Sequence, residues 1–246
     1  MTQDHYRIVG RMQGFRPENI HRYEMHRLRH GGDLGHCNPA RSDLNRVLIG
    51  DDAWAAATLA RIDDIRLGNH NRRLESLERR KRKKDLLAAV VEGPTDPWRP
   101  TKVGPMRELI LTANRPYFAP DLDALFKDKP QRAQLFETHA VAWLAATFCD
   151  AVVHARADHD ETAYNIHAVI MPLAQKQDGR TMLDPSSHQL IKDYEKLQTA
   201  LGEALPVSAW RAVRSGPKRS ARPRDAPRPA RMSRSPRRAA PACPHA

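Results

Sequence analysis

The sequence is poor in the residues and patterns that mark several large classes of protein. Its three cysteines, Cys37, Cys149 and Cys243, lie far apart and form no C-x-x-C pair. A disulfide framework and a zinc ribbon are thereby excluded as organising devices. No run comes near the roughly 18 apolar residues of a membrane span. Met1 to Tyr6 are polar and lack the apolar segment of a secretory signal, so a cytoplasmic location is expected. There is no phosphate-binding glycine loop, no G-x-S-x-G elbow and no H-E-x-x-H pair. Aromatic residues make up 6% of the chain, which gives no evident base-stacking platform and counts against a generic RNA-binding protein. Internal repeats are missing as well.

What is there is a chain of 246 residues, 40% hydrophobic and 28% charged, enough for one packed domain with an appendage. Lys and Arg number 41 against 29 Asp and Glu, a net charge of +12, and that balance points to phosphate-rich partners. Most of the excess is local. Residues 211–246 hold eleven Lys/Arg against the single acid Asp225, seven of the nineteen prolines, and one branched aliphatic residue, Val213. Such a segment cannot bury enough apolar area to offset its chain entropy, so a folded domain over 1–210 and a disordered tail over 211–246 are expected. The tail suits an arm along a nucleic-acid backbone or a tether at a membrane surface. Its Arg-Pro-Ala-Ser composition also suits a frameshifted or truncated C-terminus. A second basic run, Arg79, Arg80, Lys81, Arg82, Lys83 and Lys84, falls inside an expected helix from Asn71 to Glu92. It reads as a solvated face or as a grip on phosphates.

Hydrophobic periodicity predicts strands at Ile8–Arg11 and Glu108–Thr112. It predicts helices over Trp54–Leu67 (with a break after Gly68, at Asn69), over Gln131–Phe148 and over His188–Leu201. Gly93 to Pro105, with four prolines, reads as an irregular connection. Ala151–Arg156 and Ile166–Met171 flank a polar turn, Asp158 to Tyr164, and read as an antiparallel hairpin. The fold class expected is α+β, an antiparallel sheet with helices packed on one face.

Two clusters carry candidate chemistry. In the hairpin, period-two alternation puts His154, Arg156 and Asp158 on one face of the first strand, and Asn165, His167 and Val169 on one face of the second. If the faces coincide, Asp158, Asn165 and His167 converge as two oxygen donors and an imidazole, a set suited to Mn²⁺ or Mg²⁺. Alternation turns His159 the other way. The N-terminal cluster holds His21, Tyr23, Glu24, His26, Arg27, Arg29 and His30, followed by Asn38-Pro39-Ala40-Arg41-Ser42. A Tyr or His beside arginines suits attack on a phosphodiester, because guanidinium groups neutralise the phosphate oxygens. The same residues also suit a solvated helix.

In this order the clusters resemble the Mob/Pre (MobV) family of plasmid mobilisation and recombination relaxases, nickases of the HUH type. The resemblance runs from about Arg11 to Leu201 and rests on three segments. Arg11-Met12-Gln13, then Asn19-Ile20 and His26-Arg27-Leu28-Arg29, is similar to an RMQ strand leading to H-x-x-R. Asn38-Pro39-Ala40-Arg41-Ser42-Asp43-Leu44-Asn45 is similar to N-P-x-R-S-x-x-N. Asp158-His159-Asp160-Glu161, with Asn165-Ile166-His167 and Pro172, resembles the hairpin H-x-D-E-x-T-P-H-x-H followed by proline.

The resemblance implies a metal-dependent transesterification on plasmid DNA, single-stranded or supercoiled, at an origin of transfer. One strand is cut, its 5′ phosphate becomes linked to a histidine, and a 3′ hydroxyl is left. It implies His26 as nucleophile, with Tyr23 as a fallback, Glu161 as its proton partner, and Arg29 and Arg41 on the scissile phosphate. Asn38, Ser42 and Asn45 join the DNA-contacting set with the basic run, Asp158, Asn165 and His167 hold the divalent metal, and the conjugation machinery is a further partner. Two of the family's three ligand histidines are here Asp158 and Asn165, and its Thr-Pro pair is Ala163-Tyr164. A neutral amide oxygen replaces imidazole poorly, so a DNA-binding protein of the same fold without efficient chemistry is the second reading.

Overall fold

The structure, a computed structural model, describes residues 8–118 and 132–205. The expected tail, its boundary at residue 210 and the first residue of the expected helix at Gln131 lie outside them. Five strands form one sheet: β1 (Ile8–Phe15), β2 (Arg46–Ile49), β3 (Met106–Ala113), β4 (Val152–Asp158) and β5 (Asn165–Ile170). They run in the order β1-β3-β5-β4-β2, and every neighbouring pair is antiparallel. A small ribbon, β6 (Leu173–Gln175) with β7 (Thr181–Leu183), follows. The expected strands and hairpin are present, and β1 runs on to Phe15. The four-residue edge strand β2 is an addition, too short for its alternation to register.

The helices are α1 (Ile20–Arg27), α2 (Trp54–Arg79), α3 (Lys83–Glu92), α4 (Arg132–Phe148), α5 (Gln189–Lys192) and α6 (Tyr194–Ala204). Alternation sends Leu109, Leu111, Ala155, Ala157, Ile166 and Ala168 to one face of the sheet, where all are fully buried. They pack with Phe136, Ala140, Leu144 and Phe148 of α4 and with Leu197 and Leu201 of α6. Each such large side chain contributes about 1.5–3 kcal/mol by leaving water. Toward one end of the opposite face, α1 and the start of α2 supply Ile20, Tyr23, Trp54 and Ile62 to a second cluster with Phe15, Met106 and Val169. The centre of that face carries polar side chains, Glu108, Arg156, Asp158, Asn165 and His167, beside Ile110.

Three local expectations are corrected. Helix α2 does not break at Asn69 but continues to Arg79. A Cβ on Gly68 would meet no atom, so that glycine costs the helix only about 1 kcal/mol of propensity. Asn69 uses its amide in tertiary contact, donating to the Thr181 carbonyl at 2.7 Å and accepting from the Thr181 N–H at 3.0 Å. The expected helix from Asn71 to Glu92 is instead the end of α2, a corner with Lys81 at φ 57°, and α3. All six cations of the run Arg79–Lys84 are exposed at this corner, where the chain reversal spreads charges that would repel along one helix. The last expected helix is also two. Asp193 is extended, and its carboxylate caps α6 by accepting from the Lys196 N–H at 3.1 Å.

Candidate active site and metal centre

Antiparallel pairing puts Asp158 opposite Asn165 and Arg156 opposite His167, so their side chains share the polar face of the sheet. Strand β3 adds Glu108 diagonally across from His167, and their side chains meet at 2.8 Å between Oε1 and Nδ1. An ionised carboxylate only accepts, so His167 donates through Nδ1 and its Nε2 faces the other way. That nitrogen is buried with no hydrogen-bond partner. It lies 3.8 Å from Asp158 Oδ2 and 3.8 Å from Glu161 Oε2. Burial opposes charge on His167, but the Glu108 and Glu161 carboxylates outweigh it and hold the imidazole up at about 9. The pocket therefore favours positive charge at this point.

Asp158, Glu161 and His167 bring one ligand atom each to within 4.8 Å of one another. An orphaned imidazole nitrogen, oriented from behind by Glu108 and facing two carboxylates, fits a divalent cation with oxygen and nitrogen preference, such as Mn²⁺. Asn165, the remaining expected ligand, borders the group. Its amide donates to Glu161 Oε2 at 2.8 Å and to the Ala163 carbonyl at 3.0 Å. Asp158 is also held by Arg156, whose Nε lies 3.0 Å from both carboxylate oxygens, so a cation there shares Asp158 with a guanidinium.

The second element of the site is the end of α1. The i, i+3 spacing puts His26 and Arg29 side by side, and Arg29 Nη1 caps the helix by donating to the His26 carbonyl at 2.8 Å. Nδ1 of His26 lies 3.1 Å from Arg29 Nη1 and 3.3 Å from Arg156 Nη2. Burial first, and then these two guanidinium charges, hold His26 below the usual histidine range, so the ring stays neutral, with Nδ1 accepting from the guanidinium groups, which can only donate. Arg29 also forks onto Asp160 at 2.9 and 2.6 Å. Glu161 joins the two elements. Its Oε2 faces His167, and its Oε1 lies 3.5 Å from His36 Nε2 and 3.8 Å from Arg29 Nη2.

The remaining expected site residues divide. Tyr23 is corrected: its ring is buried between Phe15, Trp54 and His154, and its hydroxyl has no polar partner. Burial holds the phenol far above its usual range, against the pull of Arg156 stacked 4.4 Å from the ring centre, so it neither ionises nor reaches solvent. Asn38, Ser42 and Asn45 use their side chains to build the loop. Asn38 accepts from the Ala40 N–H at 3.1 Å, and Ser42 donates to Asp160 at 2.7 Å. Asn45 accepts from the His159 and Asp160 N–H groups at 2.7 and 3.2 Å. Arg41 is exposed on this loop. His159 points to the opposite face and meets Glu137 of α4 at 2.9 Å. Glu108, His36 and Cys37 are not among the expected site residues. Alternation along β3 could have flagged Glu108, a charge on a strand otherwise read as apolar.

Comparison with solved structures gives the architecture a precedent. The chain is similar to a Mn-bound crystal structure of the MobM relaxase domain (MOBV; Mob_Pre) with plasmid pMV158 oriT DNA. That likeness has a TM-score of 0.50 and 14% identity, and covers 87% of this chain and 95% of that one. The fold is that of the MobM relaxase domain. A second Mn-bound structure of this domain with oriT DNA aligns with a TM-score of 0.49 and 19% identity, over 83% of this chain and 87% of that one. No protein-family model matches the sequence, and no curated protein does. Within the relaxase fold, the central strands carry the candidate metal group, and α1 brings His26 to its edge through Glu161. Among the described residues no helix is long and apolar enough to cross a membrane.

Proposed function

We propose that this chain nicks one strand of plasmid DNA at an origin of transfer by transesterification, with His26 as the nucleophile that becomes linked to the 5′ phosphate. The observation that carries the reading is the convergence of a neutral His26, flanked by two guanidinium groups, with an orphaned His167 nitrogen across the shared carboxylate of Glu161. Arg29 and Arg156 both donate to Nδ1 of His26, so a phosphate that draws these guanidinium groups onto its own oxygens would free that lone pair beside it. One ring nitrogen of His26 and an oxygen of Glu161 lie within 4.8 Å of each other, which supports Glu161 as the partner that takes the ring proton as substrate binds. Asp158, Glu161 and His167 would hold a divalent cation, which supplies Lewis-acid stabilisation of charge on a non-bridging phosphate oxygen. The similar MobM domains are Mn-bound and carry oriT DNA, which supports both metal and substrate class. The exposed cations of Arg41 and the Arg79–Lys84 corner, together with the basic tail, would grip the DNA backbone, and the conjugation machinery is a proposed partner.

A second reading, DNA binding without efficient chemistry, is favoured by one observation: Arg156 already occupies Asp158, and Asn165 offers its amide to Glu161. A nicking assay on supercoiled plasmid carrying the DNA upstream of the gene separates the two. It is run with Mn²⁺ and with chelator, on the native protein, His26→Ala and Asn165→His. Relaxed circles that need metal and His26, with the adduct mapped to the His26 peptide, are expected. Activity only in Asn165→His means an inactivated relaxase, and no cutting by any version on DNA it binds leaves the second reading.

A further inference from the structure

One group of side chains beside the proposed metal centre has no part in that chemistry as a set. His36 and Cys37 lie on the segment that runs antiparallel to the hairpin turn. The Asn38 N–H donates to the Asp160 carbonyl at 2.7 Å, the Thr162 N–H donates to the His36 carbonyl at 2.9 Å, and Cys37 bridges Glu161. Two backbone hydrogen bonds thus pin this segment against Glu161. The His36 ring stacks on His26, with centroids 5.6 Å apart and planes at 17°. The Cys37 sulfur, one nitrogen each from His26 and His36, and a Glu161 oxygen all lie within 4.8 Å of one another. His36 is exposed, while His26 and Cys37 are half-buried, so an ion can enter from solvent.

We propose that His26, His36, Cys37 and Glu161 form a second cation site, selective for a thiophilic ion such as Zn²⁺, whose occupation takes His26 out of use. The donor chemistry separates the two sites. One thiolate, two imidazoles and one carboxylate suit tetrahedral Zn²⁺, whereas Asp158, Glu161 and His167 suit a harder ion. The Glu161 carboxylate has an oxygen for each: Oε2 on the His167 side and Oε1 on the His36 side. Binding deprotonates the Cys37 thiol, releasing one proton per ion, and occupies ring nitrogens of His26 and His36. The inhibitory consequence rests on the proposed role of His26, whereas the site itself does not.

The test is a Co²⁺ and Zn²⁺ titration of the full chain under a non-thiol reductant. Wild type is expected to show a thiolate-to-cobalt charge-transfer band that Zn²⁺ displaces. Cys37→Ser should lose the band, and both Cys37→Ser and His36→Ala should bind Zn²⁺ at least about tenfold more weakly, the least that losing even an outer partner of a metal ligand costs. A band that persists in Cys37→Ser, or Zn²⁺ affinity unchanged in both variants, overturns the site. In Mn²⁺-supported nicking, stoichiometric Zn²⁺ should inhibit wild type and spare Cys37→Ser; equal inhibition of the two overturns the inhibitory role. If nothing nicks under any condition, the proposed function fails, and the cobalt band still decides the site.

Discussion

Arg29 has a backbone φ of 57°, in the left-handed region that non-glycine residues rarely adopt. Its contacts over-determine that conformation: the guanidinium forks onto Asp160, caps the His26 carbonyl and lies 3.3 Å from Asp158. Asp160 is almost wholly buried. Burial would raise its pKa, but the Arg29 and Ser42 hydrogen bonds prevail and hold it below the usual carboxylate range. Arg29→Ala removes the one charged partner of that carboxylate's hydrogen-bond set and leaves it with Ser42 and Asn45, and should cost about 3–5 kcal/mol in urea unfolding. A loss below about 1 kcal/mol would show that water replaces the guanidinium. Arg29→Lys should recover part of the loss, because it keeps the charge but not the fork. The His26–Arg29 pairing was legible from i, i+3 spacing. Asp160 as partner was not, since it comes from 131 residues away.

At the scale of elements, the β4–β5 hairpin was legible because its two strands alternate around a polar turn. Alternation also put Arg156 and Asp158 on one face, and His159 on the other. The N-P-x-R-S-x-x-N segment shows the limit of such reading. The family resemblance implied DNA contact for its polar side chains; the structure adds that Asn45 satisfies two N–H groups of the hairpin turn, a pairing of distant segments that no local pattern reveals. The loop of Gly93 to Pro105 makes a similar long-range contact with β1. A Cβ on Gly14 would overlap the Val103 carbonyl, and backbone moves aside less readily than a side-chain tip. Gly14→Ala should therefore destabilise the fold by about 1–3 kcal/mol. Thermal unfolding checks this, and an unchanged midpoint would mean that the loop is free to shift.

For the whole molecule, pH should act on stability through His154. This ring is fully buried, stacked 4.5 Å from Trp54, and neither nitrogen has a partner. Burial first, then the Arg156 charge, pushes it down to about 3 from an ordinary value of 6.5. Between those values the unfolded chain binds a proton that the folded chain refuses, so stability falls as pH drops below 6.5, by up to about 1.4 kcal/mol per pH unit. His154→Phe, which keeps the stacking, should flatten the acid limb of a stability profile between pH 6.5 and 4. An acid limb as steep as that of wild type would falsify this assignment.

The sequence by itself determined the features that short-range physics controls. These are the basic charge balance, the strands that alternate with period two, the apolar stripe of α4, and the adjacency of His26 and Arg29 one helical turn apart. Only the tertiary structure decided which distant groups meet. Sheet order set Glu108 behind His167, loop closure brought Asp160 to Arg29 and Cys37 to Glu161, and packing of α1 buried Tyr23. Each of those contacts spans tens of residues or more, and its partner is chosen by strand register and by the core as a whole rather than by the residues on either side.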